Sequence, residues 1–537
     1  MKIGVAIDLG TSGFRAQKIN LENNQILKTV VTMRNPLPGA NVMDHMDFAI
    51  NYGLEKAHML VINAIHTIIK ELNINDLELQ KLSVCGNPIQ LSIFQGIPID
   101  DLAYAGENKK EKLHIVDQKR ESAVLQSKEI SGLEKYKNCI VIIPPSIKHE
   151  IGADALALII NSGMLTSNEC SIATDYGTNA EMALYSNGTI YTGSAAAGPA
   201  LEGQEISCGM LAAPYAISDV DFEGENIRCY ILNENFDVIK GDLINPNNGN
   251  IIEKGEIRAK GITGTGVISL LQKSIDSKLV TLPKINTPDN VIHLQDNIIF
   301  TEKDIKEAGN AIGALRAGHL ALCNAAGISV SDIKVSHMSG AAGTYMDALK
   351  AYKIGMNPYN VDEITQIGNT SLKMAREILT DDNRLKELQE VANKIIGTHV
   401  MFAIDDTFKE VYILELAYWG EGMSLKMFKK FLKKKSLPEF DIPNKCPKIN
   451  KVVKRDIPEF GPEGYHMIKQ TGTYLTTIIN DDNYNIKELI KNCPTHAMTY
   501  DNSNLKIRSD LCNGSNCKKC HQFLPKEIFS WDNLTII

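Results

Sequence analysis

Three cysteines near the end of the chain, Cys512, Cys517 and Cys520, form the run "LCNGSNCKKC", a C-x4-C-x2-C spacing. Thiolates at that spacing suit zinc or iron–sulfur chemistry, but three leave a four-coordinate site one ligand short. Cys446 and Cys493 are the other two cysteines of the C-terminal region. The remaining six of the eleven, Cys85, Cys139, Cys170, Cys208, Cys229 and Cys323, are scattered, mostly among apolar residues, and read as buried thiols. In a reducing compartment such clustering points to a metal rather than to disulfides.

A second chemical pattern occurs twice. "GVAIDLGTSGFRAQKI" (4–19) and "CSIATDYGTNAEMALY" (170–185) both run apolar strand, Asp, one residue, Gly-Thr, a small polar residue, then apolar alternation. One D-x-G-T is most simply a β-turn. Two copies a domain apart imply two similar lobes, each opening on a strand–turn–strand hairpin. Such turns present backbone N–H groups and short hydroxyls to phosphate oxygens, and the aspartates Asp8 and Asp175 can hold Mg²⁺ directly or through water. A third small-residue cluster, "SGAAG" (339–343), follows the apolar helical pattern 311–327. It either lets backbone approach a flat ring closely or makes a tight strand-to-helix turn. "GITGTGVISLL" (261–271) enters a helix from a Gly-rich turn and reads as a phosphate site or a hinge.

The elements that must position these residues need a long chain. At 537 residues, with 44% hydrophobic and 22% charged, the composition is that of a globular protein of several domains. A net charge of −8 gives no reason to expect nucleic-acid binding. The lysine run "KMFKKFLKKKS" (426–436) reads as the solvated face of a helix, with a docking surface for an acidic partner as the alternative. No apolar stretch approaches a membrane span and the N-terminus shows no signal-peptide pattern, so a cytoplasmic protein is expected. The Pro- and charge-rich segment 436–464 reads as a linker between an N-terminal region, 1–435, and a cysteine-bearing tail, 465–537.

The order D-x-G-T-S, D-x-G-T-N, S-G-A-A-G resembles the ATPase superfamily of actin, the seventy-kilodalton heat-shock proteins and the sugar kinases. "CGNPIQLSIFQG" (85–96), "PPSIKHEIGADALA" (144–157) and "AAGPALEGQEISCGM" (196–210) look like signatures of the corrinoid-protein reductive activases, above all those of methylamine methyltransferase systems in methanogens. This resemblance covers nearly the whole chain. It implies an α/β fold of two ribonuclease-H-like lobes with ATP in their cleft, plus a small C-terminal ferredoxin-like α+β domain. It further implies that Asp8, Thr11 and Ser12 form one phosphate loop and Asp175, Gly177, Thr178 and Asn179 the other, with Mg²⁺ between the aspartates. Gly340, Ala341 and Gly343 would line the adenosine pocket. Glu150 and Asp154 are candidates for orienting the hydrolytic water, with helix capping as the other reading of each.

The bacterial two-cluster ferredoxin pattern, two C-x2-C-x2-C-x3-C-P runs whose fourth cysteines ligate each other's cluster, bears on the missing ligand. Laid back from Cys493-Pro494, it puts the first three ligands of that run at Asn483, Ile486 and Leu489. The second run keeps Cys512, Cys517 and Cys520, with an insertion after the first, and has Leu524-Pro525 where its fourth cysteine belongs. One cluster loses every ligand, and the other keeps Cys493, Cys512, Cys517 and Cys520. The reading is therefore one [4Fe–4S] cluster, a departure from the two usual in this family. A four-cysteine zinc site and a fourth ligand from Cys446 are the alternatives.

Together these readings suggest an ATP-dependent reductase that returns the Co(II) of a corrinoid protein in a methyltransferase system to Co(I), supplied by a low-potential electron donor. A small-metabolite kinase with a zinc-stapled tail and a chaperone-like ATPase are the rival classes.

Overall fold

Ile3–Leu9 is apolar almost throughout and buried along its whole length, the mark of a strand covered on both faces. It forms an antiparallel pair with Phe14–Asn20, which pairs with Gln25–Thr32, and on its other side it lies parallel to Leu79–Gly86. Ile140–Ile143 continues the parallel run. Ser171–Asp175 repeats this arrangement: antiparallel to Ala180–Ser186, which turns back as Thr189–Ala195, and parallel to Val335–Ser339, which is followed by Glu363–Gly368. Both sheets therefore carry the same five-strand order, three hairpin-linked strands and then two parallel ones. The two D-x-G-T hairpins lead to this duplication, and its ribonuclease-H-like form is the one the resemblance implies.

In this computed structural model all residues are described except Met1, 105–106, 147–150, 178, 196–204, 441–442, 480–485, 502, 515–516, 518 and 525–528. Glu150, Thr178 and Asn483 lie outside the described residues, as does much of the signature at 196–210. The chain forms two compact units, one of 1–157, 371–393 and 459–537, the other of 158–370 and 394–458.

That division differs from the expected 1–435, 436–464 and 465–537. The supposed linker contains Lys448–Lys451, which pairs in parallel with Glu363–Gly368 as the edge strand of the second unit's sheet. Tyr465–Ile468, assigned from sequence to the tail, pairs in parallel with Gln25–Thr32 at the edge of the first unit's sheet. Side chains anchor its approach: Gln17 donates to the Glu459 carbonyl at 2.8 Å, Thr29 to that of Phe460 at 3.0 Å, and Lys18 pairs with Glu463 at 3.2 Å. Proline and charge signal poor helix formation, and an exposed edge strand satisfies the same composition as a linker.

Beyond it, Tyr474–Ile478, Met498–Asp501, Asn504–Arg508 and Thr535–Ile536 form a separate antiparallel sheet with Ile486–Lys491 as a helix between the first two strands. The spatial order is second, third, first, fourth. This is the ferredoxin-like α+β layout.

In the second unit, helix Glu302–Ala326 starts at a Thr301/Asp304 capping box, ends at Gly327 in the left-handed conformation, and packs along helix Asp406–Glu421. Small residues set that packing: a Cβ on Gly309 would stand 2.4 Å from Cβ of Trp419, and one on Gly313 2.7 Å from Cβ of Glu415. Among the described residues no helix is long and apolar enough to cross a membrane.

The contact at Gly309 is with an atom next to the backbone, so no side-chain rotation relieves it. Gly309→Ala should therefore force the two helices apart and cost about 1–3 kcal/mol, less any gain in helix propensity. A fall of several degrees in the Tm of thermal unfolding is the expected reading; an unchanged or higher Tm would show that the helix pair is not rigid.

Candidate functional site

In the first unit Asp8 stands at the end of the central strand and is almost fully buried. Arg15 approaches its Oδ2 to 3.7 Å. The parallel register places Cys85 beside it. Burial pushes the Cys85 thiol well above its ordinary value, and the negative charges of Asp154 and Asp8 push it further. Asp154 thus shares the neighbourhood of Asp8. Its loop closes there because Gly152 has no side chain: a Cβ would lie 2.7 Å from both Cα of Asn87 and Oδ1 of Asp154.

Asn87 is a residue the sequence reading quoted but did not select. It caps helix Pro88–Gln95, accepting from the Gln90 amide at 2.9 Å, while its Nδ2 donates to Oγ1 of Thr11 at 3.0 Å. It holds the Thr11 hydroxyl of the first D-x-G-T turn in place. Thr11 and Ser12 remain half-buried at the turn.

In the second unit the equivalent pairing sets Ser339 opposite Asp175. Ser339 Oγ lies 3.0 Å from Oδ2 of Asp175, 3.0 Å from the Gly368 carbonyl and 3.1 Å from Oγ1 of Thr370. Gly340 follows with φ +81°, and a Cβ there would fall 2.4 Å from Oδ1 of Asp175. Glycine is thus demanded twice, by the left-handed conformation and by the carboxylate. Gly343 packs on the ring of Tyr176, and Ala341 is half-buried beside it. Gly177 and Asn179 flank the undescribed Thr178, a Cβ on Gly177 lying 3.3 Å from the Asn179 carbonyl.

The small-residue cluster therefore abuts Asp175 itself, and Ser339 and Thr370 belong to its surroundings. Cys85-Gly86 occupies the place in the first unit that Ser339-Gly340 occupies in the second. The signal was available: each pair ends an apolar strand in a glycine. The registers Asp8–Cys85 and Asp175–Ser339 were not.

Cys493, Cys512, Cys517 and Cys520 line a single pocket with Leu489, Met498, Phe523 and Trp531. Cys493 and Cys520 are buried and the other two half-buried; Cys446 is exposed and is not among the pocket residues. Burial pushes the Cys512 thiol up to about 12. The Gly514 amide opposes that shift, whereas Cys520, Cys493 and Cys517 each add to it. Burial also raises Cys520, with an indole contact from Trp531 working the other way. Four thiolates so placed in an apolar setting would repel one another, and binding a cation there would release their protons. Among the described residues no group of three or more His, Cys, Asp or Glu side chains converges on a single-ion position; the thiols surround a space. Of the positions a second cluster would need, Ile486, Leu489 and Leu524 are buried hydrocarbon.

Residues 3–167 match the model of the RACo middle region, and 169–429 that of the C-terminal domain of RACo, the ASKHA domain. The chain is 45% identical over 496 residues to the [Co(II) methylated amine-specific corrinoid protein] reductase of Methanosarcina barkeri, covering 92% of this chain and 91% of that one. It is 24% identical to the corrinoid activation enzyme RamQ of Eubacterium limosum, covering 78% and 71%. Among solved structures, a reductive activator for corrinoid,iron-sulfur protein shares the fold with TM-score 0.64 at 23% identity, over 77% of this chain and 66% of its own.

The thiolate is the alkylating nucleophile, so the pocket's burial has a direct readout. In metal-free protein at pH 8, iodoacetamide should label Cys446 at least about a hundredfold faster than Cys512, because a thiol held near 12 is almost wholly protonated there. Equal labelling in peptide mass maps would contradict the raised value of the half-buried Cys512 thiol.

Proposed function

We propose, from the premise that the chain belongs to the family of the corrinoid-protein reductive activases, that it is an ATP-dependent one-electron reductase. It would return the Co(II) of a corrinoid protein to Co(I), in support of methyl transfer from methylated amines. The observation that carries this reading is the presence on one chain of two duplicated Asp-x-Gly-Thr loops and one pocket lined by four cysteines.

The two chemistries divide between these sites. Asp8 and Asp175 would bind Mg²⁺, and the N–H groups and hydroxyls of their turns would hold the phosphates. Asp154, close to Asp8, would orient the attacking water; Glu150 is the other candidate. The donor set of Cys493, Cys512, Cys517 and Cys520 fits a [4Fe–4S] cluster, which when bound supplies the one-electron step. The hydrocarbon at Ile486, Leu489 and Leu524 offers iron no lone pair, which favours one cluster per chain. Leu489, Met498, Phe523 and Trp531 keep water from the sulfurs, a lever on potential.

Reduction of Co(II) to Co(I) takes one electron, so each turnover needs recharging by a low-potential donor. Nucleotide can drive the uphill step only through a difference in its affinity for two states of the assembly. A reducing, cytoplasmic setting would keep the unloaded thiols free.

With a low-potential reductant and the corrinoid protein, anaerobic enzyme should form Co(I), seen in its absorption spectrum, only when ATP is present. Asp8→Asn and Asp175→Asn should each lower ATP hydrolysis at least about tenfold, the scale of losing a metal-organising carboxylate, and Co(I) formation with it. Wild-type turnover in both variants would sink the assignment.

Iron analysis of anaerobically purified protein should return about four irons per chain, the content of one [4Fe–4S] cluster. Cys493→Ala should lose the chromophore, whereas Cys446→Ala should keep it. About eight irons, or zinc in place of iron, would overturn the single-cluster reading.

A further inference from the structure

Segment 32–41 touches both chemical sites of the first unit. At its start, Thr32 Oγ1 accepts from the Phe14 amide at 2.8 Å, just after the Gly10–Gly13 turn. Asn35, buried, donates from Nδ2 to the Gly10 carbonyl at 3.0 Å and lies 3.3 Å from Oε1 of Gln90. At its far end the Gly39 amide donates to the carbonyl of Cys512 at 2.8 Å, and Ser509 Oγ donates to the Pro36 carbonyl at 2.6 Å. Gly514 packs so closely that a Cβ would lie 3.3 Å from the Gly39 nitrogen.

The span between has little slack. Pro36 and Pro38 fix two φ angles, Leu37 is buried, and its amide donates to Oδ1 of Asn35 at 3.0 Å. A second connection runs beside it. Gln90 Nε2 lies 2.8 Å from Nδ1 of His45 on helix Val42–Tyr52. That helix presents Phe48 and Tyr52 to Trp531, at centroid distances of 6.2 and 5.4 Å. Trp531 lines the cysteine pocket.

We propose that Asn35 and Gln90 are positioning residues that join the first phosphate loop to the cysteine pocket, so that nucleotide at Gly10–Gly13 acts on the seating of Cys512. This deepens the function proposed above and rests on it. A phosphate held by the turn pulls on the Gly10 backbone. Asn35 is bonded to that carbonyl, and a proline-stiffened strap passes the displacement on instead of absorbing it. Spatial continuity alone does not establish coupling, so the test must read both ends.

The experiment is peptide-level hydrogen exchange on anaerobic, iron-loaded, full-length protein with and without saturating Mg·AMPPNP, alongside redox titration of the iron centre. In wild type, nucleotide should slow exchange at 8–14 and, by at least about fivefold, at 36–41 and 505–514; fivefold is the low end of measured couplings between sites. The midpoint potential should shift as well. Asn35→Asp keeps the acceptor for the Leu37 amide but removes the donor to Gly10, and Gln90→Met cuts the parallel connection. In each, protection by nucleotide should persist at 8–14 and shrink or vanish at 505–514, with the shift in potential reduced. Wild-type protection confined to 8–14, or protection at 505–514 undiminished in both variants, overturns the proposal while leaving the proposed function standing. No protection at 8–14 in wild type would overturn both.

Discussion

Each lobe depends on one close approach, that of the backbone after its fourth strand to the end of its first. In the second unit a Cβ at position 340 would strike Asp175 at 2.4 Å; in the first, a Cβ on Gly86 would lie 2.9 Å from the Leu9 carbonyl. Two buried parallel strands can end this close together only if the residue at the crossing has no side chain. The carboxylate, the adjacent turn and the helix that follows the glycine are brought together by that single contact. The site is a consequence of strand register, and the glycine makes the register possible.

The return of the chain from the second unit to the first is governed by a different constraint. A strand such as Gln25–Thr32 at the edge of a sheet leaves backbone donors and acceptors unpaired, and Tyr465–Ile468 covers them. Once that strand is laid down, the cysteine-bearing region is committed to the same unit as Asp8. Its contacts there are specific: Lys56 donates to the Asp532 carbonyl at 2.7 Å, and Trp531 lies against Tyr52 with its ring tilted by 36°. The cysteine-bearing tail is therefore part of the first unit and not a tethered appendage.

The cysteine pocket shows how burial and charge oppose one another. Desolvation raises the Cys512 thiol, and the charges of its three sulfur neighbours raise it further, so this sulfur is a poor anion. At the positions where the ferredoxin pattern would place further ligands, Ile486, Leu489 and Leu524 are buried hydrocarbon. A ligand-free metal cavity would be a costly void, whereas packed hydrocarbon stabilises the small sheet above it.

Residue type and spacing alone determined much about this protein. The duplicated strand–turn–strand hairpins, each ending its first strand in an aspartate, and the grouping of Cys493 with Cys512, Cys517 and Cys520 were legible, because turn chemistry, apolar periodicity and cysteine spacing are local properties. Composition misled at 436–464, where an edge strand and a linker look alike. Tertiary structure alone decided which residues meet: Asn87 with Thr11, Ser339 with Asp175, Asn35 with Gly10, and Gly39 with Cys512. Those partners are tens to hundreds of positions apart, and each pairing follows from register and from the packing of distant elements, which no local pattern encodes.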